Sequence, residues 1–196
     1  MSIKDFFNKL ADKWDKLAKH DKVKLKKIIN FLSLKEGQIV MDVGCGTGIM
    51  LPLLKEHVGR KGCVYAVDVS EKMLKKARTK HKGRNIYFVN SDVCSLPFTP
   101  ESFDAVLCYS SFPHFKDREK ALKSLSKVLK PKGKLIVAHS DSKKKINRVH
   151  REAGKDVKDD IIPSKNKMKA LFKDVNLKIK EFIDDDKMYL IKAEKP

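Results

Sequence analysis

Val40-Met41-Asp42-Val43-Gly44-Cys45-Gly46-Thr47-Gly48-Ile49 is the stretch from which the rest of the chain can be ordered. A short β-branched run ends in three alternating glycines and opens into an apolar segment of helical character, so it reads as strand, tight turn and helix. Glycines at such a turn let the backbone bend sharply and approach a ligand with no side chain between them. The helix start adds unpaired N–H groups and the positive end of a dipole, which favour a carboxylate or phosphate. The spacing narrows the choice. A dinucleotide fingerprint is G-x-G-x-x-G, whereas this turn is G-x-G-x-G, and the early third glycine counts against nicotinamide or flavin. Asp68 ends the next β-rich run, 20 residues past Gly48. A carboxylate there can accept hydrogen bonds from both hydroxyls of a ribose and repels a 2′-phosphate.

Working outward, short β-rich runs alternate with amphipathic helical stretches, the pattern of an α/β domain with a mostly parallel sheet. The expected strands are Ile39 to Val43, Cys63 to Asp68, Ile86 to Asn90, Phe103 to Cys108 and Lys134 to His139. Between them, Met73, Leu74 and Ala77 share one face of a helix over Glu71 to Lys80. Leu122, Leu125, Val128 and Leu129 share one over Arg118 to Leu129, which Pro131 and Gly133 stop. Leu177 to Ile183 and Lys187 to Ala193, joined by three aspartates, read as an antiparallel hairpin that gives the sheet an antiparallel edge. Lys143 to Lys167 is polar enough for a long loop or a helix over a site. Residues 1–35 precede the sheet as a helical lid and 36–196 form the main domain. Phe6, Leu10, Trp14 and Leu17 recur at helical spacing, and Asp21 is placed to cap a second helix carrying Val23, Ile28, Ile29 and Leu32.

The chain has 196 residues, enough to bury a core without disulfides or a structural metal. No apolar run approaches the roughly 18 residues of a membrane span, and the first residues lack the features of a secretory signal, so the expected location is the cytoplasm. The four cysteines form no C-x-x-C pair, and reduced thiols with no metal site are expected. The net charge of +19 admits a polyanionic partner. The lysines are spread along the chain among acidic residues, however, and the run Lys143 to Lys145 has no interleaved aromatic for base stacking, so nucleic acid is not the favoured partner. The sequence carries no signal for an oligomeric state.

Asp42 to Gly48, Val67-Asp68-Val69-Ser70, Asn90-Ser91-Asp92-Val93, Phe103-Asp104-Ala105-Val106 and Leu129-Lys130-Pro131-Lys132-Gly133-Lys134-Leu135 stand in one register. In these five motifs the chain resembles the class I S-adenosylmethionine-dependent methyltransferases, and within them the ubiquinone and menaquinone C-methyltransferase group. The resemblance implies a Rossmann-like, seven-stranded sheet with helices on both faces and the last strand antiparallel. It also implies S-adenosylmethionine as cofactor. It sets Gly44, Gly46 and Gly48 against the methionine part with Asp42 on its amine side, and Asp68 on the ribose. Asp92 with the Val93 backbone falls to the adenine amine and Val69 and Met73 to its ring, while Cys108 joins the cofactor set at the end of the fourth strand.

Methyl transfer from a sulfonium needs mainly alignment and exclusion of water, and a base only where the acceptor must lose a proton. Ligands of open α/β sheets sit beyond the carboxyl ends of the strands, which here is Cys108-Tyr109-Ser110-Ser111-Phe112-Pro113-His114. Tyr109 and His114 are the candidates there, His114 first as a base, with His139 and His150 able to converge on the same pocket. The segment lacks the Asn/Asp-Pro-Pro-Tyr/Phe sequence of amide and amine N-methyltransferases. The expected acceptor is a small or lipid-like molecule. An RNA or protein methyltransferase, or a non-catalytic cofactor-binding regulator, are the alternatives.

Overall fold

The computed structural model describes all 196 residues. β1 (Ile39–Val43), β2 (Cys63–Asp68), β3 (Ile86–Asn90), β4 (Phe103–Tyr109), β5 (Leu129–His139), β6 (Lys178–Asp184) and β7 (Tyr189–Glu194) form one sheet in the order β3-β2-β1-β4-β5-β7-β6. β1 lies between β2 and β4 and is parallel to both, with Val40 beside Val64 on one side and Ala105 on the other. Its entry is fixed by Asp104, which accepts the Ile39 N–H at 2.8 Å and pairs with Lys130 at 2.9 Å. β7 runs antiparallel to both β5 and β6. The expected hairpin is present, closed by Asp185 Oδ1 accepting the N–H groups of Lys187 and Met188 at 2.8 Å each. The antiparallel strand is not the edge, however. The largely buried β7 inserts between β5 and β6, and the lysine-bearing, partly exposed β6 takes the outside, where its free backbone groups meet water.

Successive residues of a strand face opposite sides, so the sheet builds two cores. Val40, Val64 and Ala105 pack on one face with Ile28 of α3 (Lys22–Leu32), Leu54 of α4 (Leu51–Val58) and Leu74 of α5 (Glu71–Lys80). Met41, Val106 and Cys108 pack on the other with Leu122 of α6 (Arg118–Val128) and Phe172 of α8 (Lys165–Asp174). The polar segment after β5 is both a helix, α7 (Lys143–Glu152), and an irregular stretch leading to α8. β5 begins five residues before its expected start because Leu129 pairs with Phe103, with a register shift after it. Asp21 caps α3 as expected, accepting from Val23 and Lys24, but Val23 is exposed and Leu25 is buried in its place.

The N-terminal stripe departs further from its periodicity. The chain breaks into α1 (Ile3–Leu10) and α2 (Trp14–Leu17), neither of which has a fully buried residue, and Leu17 is 60% exposed. α3, by contrast, sinks Leu25, Ile28, Ile29 and Leu32 into the core. Within residues 1–35 it is therefore α1, α2 and the link after them, not α3, that border a cavity, which Ile3, Phe7, Trp14 and His20 help to line.

Candidate functional site

The cavity, of about 360 Å³, opens beyond the carboxyl ends of β1, β2 and β4. Its floor is the glycine turn. The N–H groups of Gly44 and Cys45 donate to the Val67 carbonyl at 2.8 and 3.1 Å, which ties the turn to β2. Gly44 has φ +68°, and a Cβ there would lie 2.4 Å from that of Ser111, whose hydroxyl donates to the Val43 carbonyl at 2.7 Å. Only glycine fits between the two strand ends. The helical segment does not follow at once, since a turn through Met50 precedes α4. Gly48, expected against a ligand, is not in the cavity wall; a Cβ there would strike His81 and Leu51, so its smallness serves local packing.

Four aspartates line the cavity, Asp42, Asp68 and Asp92 at the ends of β1 to β3 and Asp117 before α6. Asp68 accepts the Gly46 and Ser70 N–H groups on separate oxygens at 2.8 Å each, so it braces the turn as well as facing the cavity. Burial pushes it up to about 6 against the pull of those two hydrogen bonds. Asp42 is 1% exposed, its Oδ2 has no partner, and burial, reinforced by the charge of Asp68, pushes it up to about 8. Asp92 caps the short turn Val93–Ser95 by accepting the Cys94 N–H at 2.8 Å, and Val93, Val69 and Met73 join it in the wall. Cys108 does not. Strand alternation turns it into the core beneath the sheet, fully buried, and its thiol titrates far above its usual range because of burial and the nearby Asp42.

On the opposite side stand Tyr109 and His114. The Tyr109 hydroxyl donates to Ser140 Oγ at 2.9 Å and accepts from His20 Nδ1 at 2.9 Å, which joins the N-terminal segment to the end of β4. Burial raises its pKa. His114 Nδ1 lies 2.9 Å from Asp160 Oδ2, and its ring meets Phe7 edge-on at 5.0 Å. His150 packs against His114 with ring centres 4.8 Å apart. His139 comes close to both but stays outside the wall: it is 1% exposed, neither ring nitrogen has a partner, and burial, with His114 and His150 nearby, presses its pKa down to about 3. The histidines do converge, but of the three only His114 lines the cavity.

Several wall residues carry no sequence signal. Phe7 and His20 come from a segment whose periodicity points elsewhere, and Ser111 is an ordinary small residue; Asp160, which contacts the wall residue His114 without lining the cavity itself, sits in a polar stretch with many carboxylates. Only folding brings them to β4.

An open sheet of this order, with its glycine turn after β1, an acidic residue ending β2 and a cavity between, is the Rossmann-like methyltransferase fold that the five motifs led us to expect. A family model described as a methyltransferase domain matches residues 41–137. The ubiquinone/menaquinone biosynthesis C-methyltransferase UbiE of Wigglesworthia glossinidia brevipalpis is 32% identical over 144 residues, covering 69% of this chain and 58% of that protein. A demethylmenaquinone methyltransferase of Staphylococcus haemolyticus is 35% identical over 137 residues, covering 66% of this chain and 57% of its own length. The chain thus spans a little over half of these curated relatives. Among solved structures, a SAM-dependent methyltransferase from Aquifex aeolicus superposes with a TM-score of 0.77 at 25% identity, over 95% of this chain and 98% of that one.

Proposed function

We propose that the protein binds S-adenosylmethionine in the cavity above β1 and β2 and transfers its methyl group to a small-molecule or lipid-like acceptor. The observation that carries the reading is the buried, unpartnered Oδ2 of Asp42 beside the Gly44-Cys45-Gly46 turn. Without a cation beside it this buried group stays protonated, and a cationic amine is the partner that would let it ionise. The remaining wall fits the rest of the cofactor. Each Asp68 oxygen has capacity beyond its one backbone bond for a ribose hydroxyl, Asp92 can accept from an exocyclic amine, and Val69 and Met73 offer apolar cover to a ring. The Val93 backbone belongs to the same subsite. Gly44 and Gly46 keep side chains out of the methionine subsite, and Gly48 acts there only by shaping the turn.

Bound S-adenosylmethionine supplies a methyl group on a sulfonium that is its own leaving group, so the protein's tasks are alignment, dryness and proton removal. α1 and α2 form the lid: Phe7 and Trp14 close the cavity, and Asn8 accepts from the Ser70 hydroxyl at 2.7 Å. His114 is the base, with Tyr109 placed to orient the acceptor. His139, buried and neutral, supports the packing behind His114 without touching a ligand. The relatives' names, which specify methylation of quinone precursors, support a ring-bearing acceptor. Four free cysteines support a reducing, cytoplasmic setting.

The test is incubation of the purified protein with methyl-labelled S-adenosylmethionine and a cell extract, then separation into RNA, protein, lipid and small-molecule fractions. Label in the lipid or small-molecule fraction is expected. Label in RNA or protein would replace this acceptor class, and cofactor binding without label anywhere would make the chain a binder rather than an enzyme. His114→Ala should lower turnover roughly 10²-fold or more, with S-adenosylhomocysteine affinity within about twofold of wild type. Equal turnover in the variant would remove His114 as the base.

A further inference from the structure

Asp160 lies in the irregular stretch between α7 and α8, 46 residues from His114, yet it is 4% exposed and in direct contact with the His114 ring. We propose that Asp160 is a positioning residue that holds His114 in the tautomer whose Nε2 faces the cavity, ready to take the acceptor's proton. The inference rests on the methyl-transfer reading of the cavity.

The contacts define the geometry. Asp160 Oδ2 is 2.9 Å from His114 Nδ1 and Oδ1 is 2.7 Å from Lys116 Nζ. Burial pushes the carboxyl up, but the hydrogen bonds from His114 and Lys116 outweigh it and hold the group below its ordinary range, so it is ionised at neutral pH. An ionised carboxylate only accepts, so Nδ1 carries the proton and Nε2 is left as the basic nitrogen. Nε2 has no protein partner, and His114 lines the cavity.

The segment bearing Asp160 is itself held from three sides. His150 Nδ1 donates to the Asp160 carbonyl. Asn147 on α7 accepts the Ile162 N–H at 2.8 Å and donates to the Ile162 carbonyl at 3.2 Å. One guanidinium nitrogen of Arg118, on α6, donates to both the Pro113 and the Ile161 carbonyls at 3.0 Å. The residue before the histidine and the residue after the aspartate are thereby fastened to the same cation. A loop carboxylate whose only purpose was a surface ion pair with Lys116 would need none of this bracing.

Asp160 is the carboxylate in hydrogen-bond contact with the ring. Phe7 of α1 meets it edge-on, His150 of α7 packs against it, His139 of β5 is buried and neutral, and Lys116 reaches it only through Asp160. In the reaction the acceptor's O–H or C–H proton passes to Nε2 while its electron pair forms the bond to the methyl carbon. The methyl–sulfur bond breaks with its pair on sulfur. The products are the methylated acceptor, a neutral thioether and an imidazolium whose Nδ1–H stays on Asp160. The carboxylate offsets the charge that appears on the ring.

Ring ¹⁵N spectra of the full chain at a pH where its histidines are neutral test the positioning directly, with His114→Gln identifying the signal. Wild type should show Nδ1 protonated and Nε2 bare. Asp160→Ala should shift the ring toward the Nε2–H form, whereas Asp160→Asn, which keeps an acceptor oxygen, should retain the wild-type tautomer. In the label-transfer assay Asp160→Asn should lower turnover roughly 10- to 100-fold, with S-adenosylhomocysteine affinity within twofold. An Nε2–H ring in wild type, an unchanged ring in Asp160→Ala, or full turnover in Asp160→Asn would each overturn the proposal. If no fraction takes up label, the methyl-transfer reading fails, and the ring spectra still decide the positioning.

Discussion

Asp68 is asked to do two things with one carboxylate, since both of its oxygens already hold backbone N–H groups of the turn and of the α5 entry. Asp68→Ala removes the ribose partner and strands the Gly46 and Ser70 N–H groups. Calorimetric S-adenosylhomocysteine affinity should fall by about 1–3 kcal/mol, with a lower melting temperature; an unchanged dissociation constant would remove the ribose assignment. Asp42 makes a different prediction. Its folded pKa of about 8 lies well above an ordinary aspartate's, so the folded state holds a proton that the unfolded chain releases near pH 4. Stability without cofactor must then decline as pH rises from about 4 to about 8. Asp68, at about 6, adds a decline of the same sign over the lower part of that range. Asp42→Asn keeps the shape and removes the first contribution. Urea unfolding should find the variant more stable than wild type at pH 8.5 by on the order of a few kcal/mol, with little difference at pH 4.5. Equal gaps at the two pH values would mean that Asp42 is not protonated in the fold.

α1 and α2 are attached to the rest by polar contacts rather than by a core. Asn8 reaches Ser70, Asp15 accepts from Thr47 at 2.6 Å and from Lys80, and Asp12 pairs with Lys76 on the exposed surface, where such a pair contributes little. Both hydrophobic clusters are built without these helices. Deleting residues 1–18 should therefore lower the helical ellipticity only by the share of these two helices and leave cooperative unfolding intact, while weakening S-adenosylhomocysteine by about 1–3 kcal/mol through loss of the Phe7 and Trp14 cover; undiminished affinity would show that the helices are no lid. The same elements mark where the sequence was legible. β1 to β3 match their expected bounds and β4 runs one residue longer, because buried parallel strands are written as short β-branched runs between glycine and polar turns. Asp42, Asp68 and Asp92 reach the cavity because each lies at or just beyond the carboxyl end of such a strand. Cys108 was misplaced because a strand's end names two faces and only the pleat chooses between them. The contacts of Asn8 with Ser70, His20 with Tyr109 and His114 with Asp160 span 62, 89 and 46 residues. No local periodicity records which loop will meet which.

Across the whole molecule, the net charge of +19 is the property that the cavity explains least. Its lysines lie on every α-helix and on β5, β6 and β7 but on none of β1 to β4, and some pair with a carboxylate, as Lys145 does with Asp141 and Lys192 with Glu181. The cationic groups in the cavity wall are Lys116, which is engaged by Asp160, and Lys120. An acceptor recognised by its phosphates would displace several counterions. With 6–10 phosphate contacts its affinity falls by roughly 10³–10⁵ between 50 and 200 mM salt. A neutral ring-bearing acceptor held between Phe7, Tyr109 and His114 releases none, and added salt slightly favours its burial. Subsaturating label transfer to the small-molecule or lipid fraction should therefore change by less than about threefold over that interval. A steep loss would assign the positive surface to a polyanionic acceptor. A shallow response would leave the charge as a bulk property that governs solubility and encounter rather than recognition, with acceptor choice settled inside the cavity by the residues at the end of β4 and the lid above them.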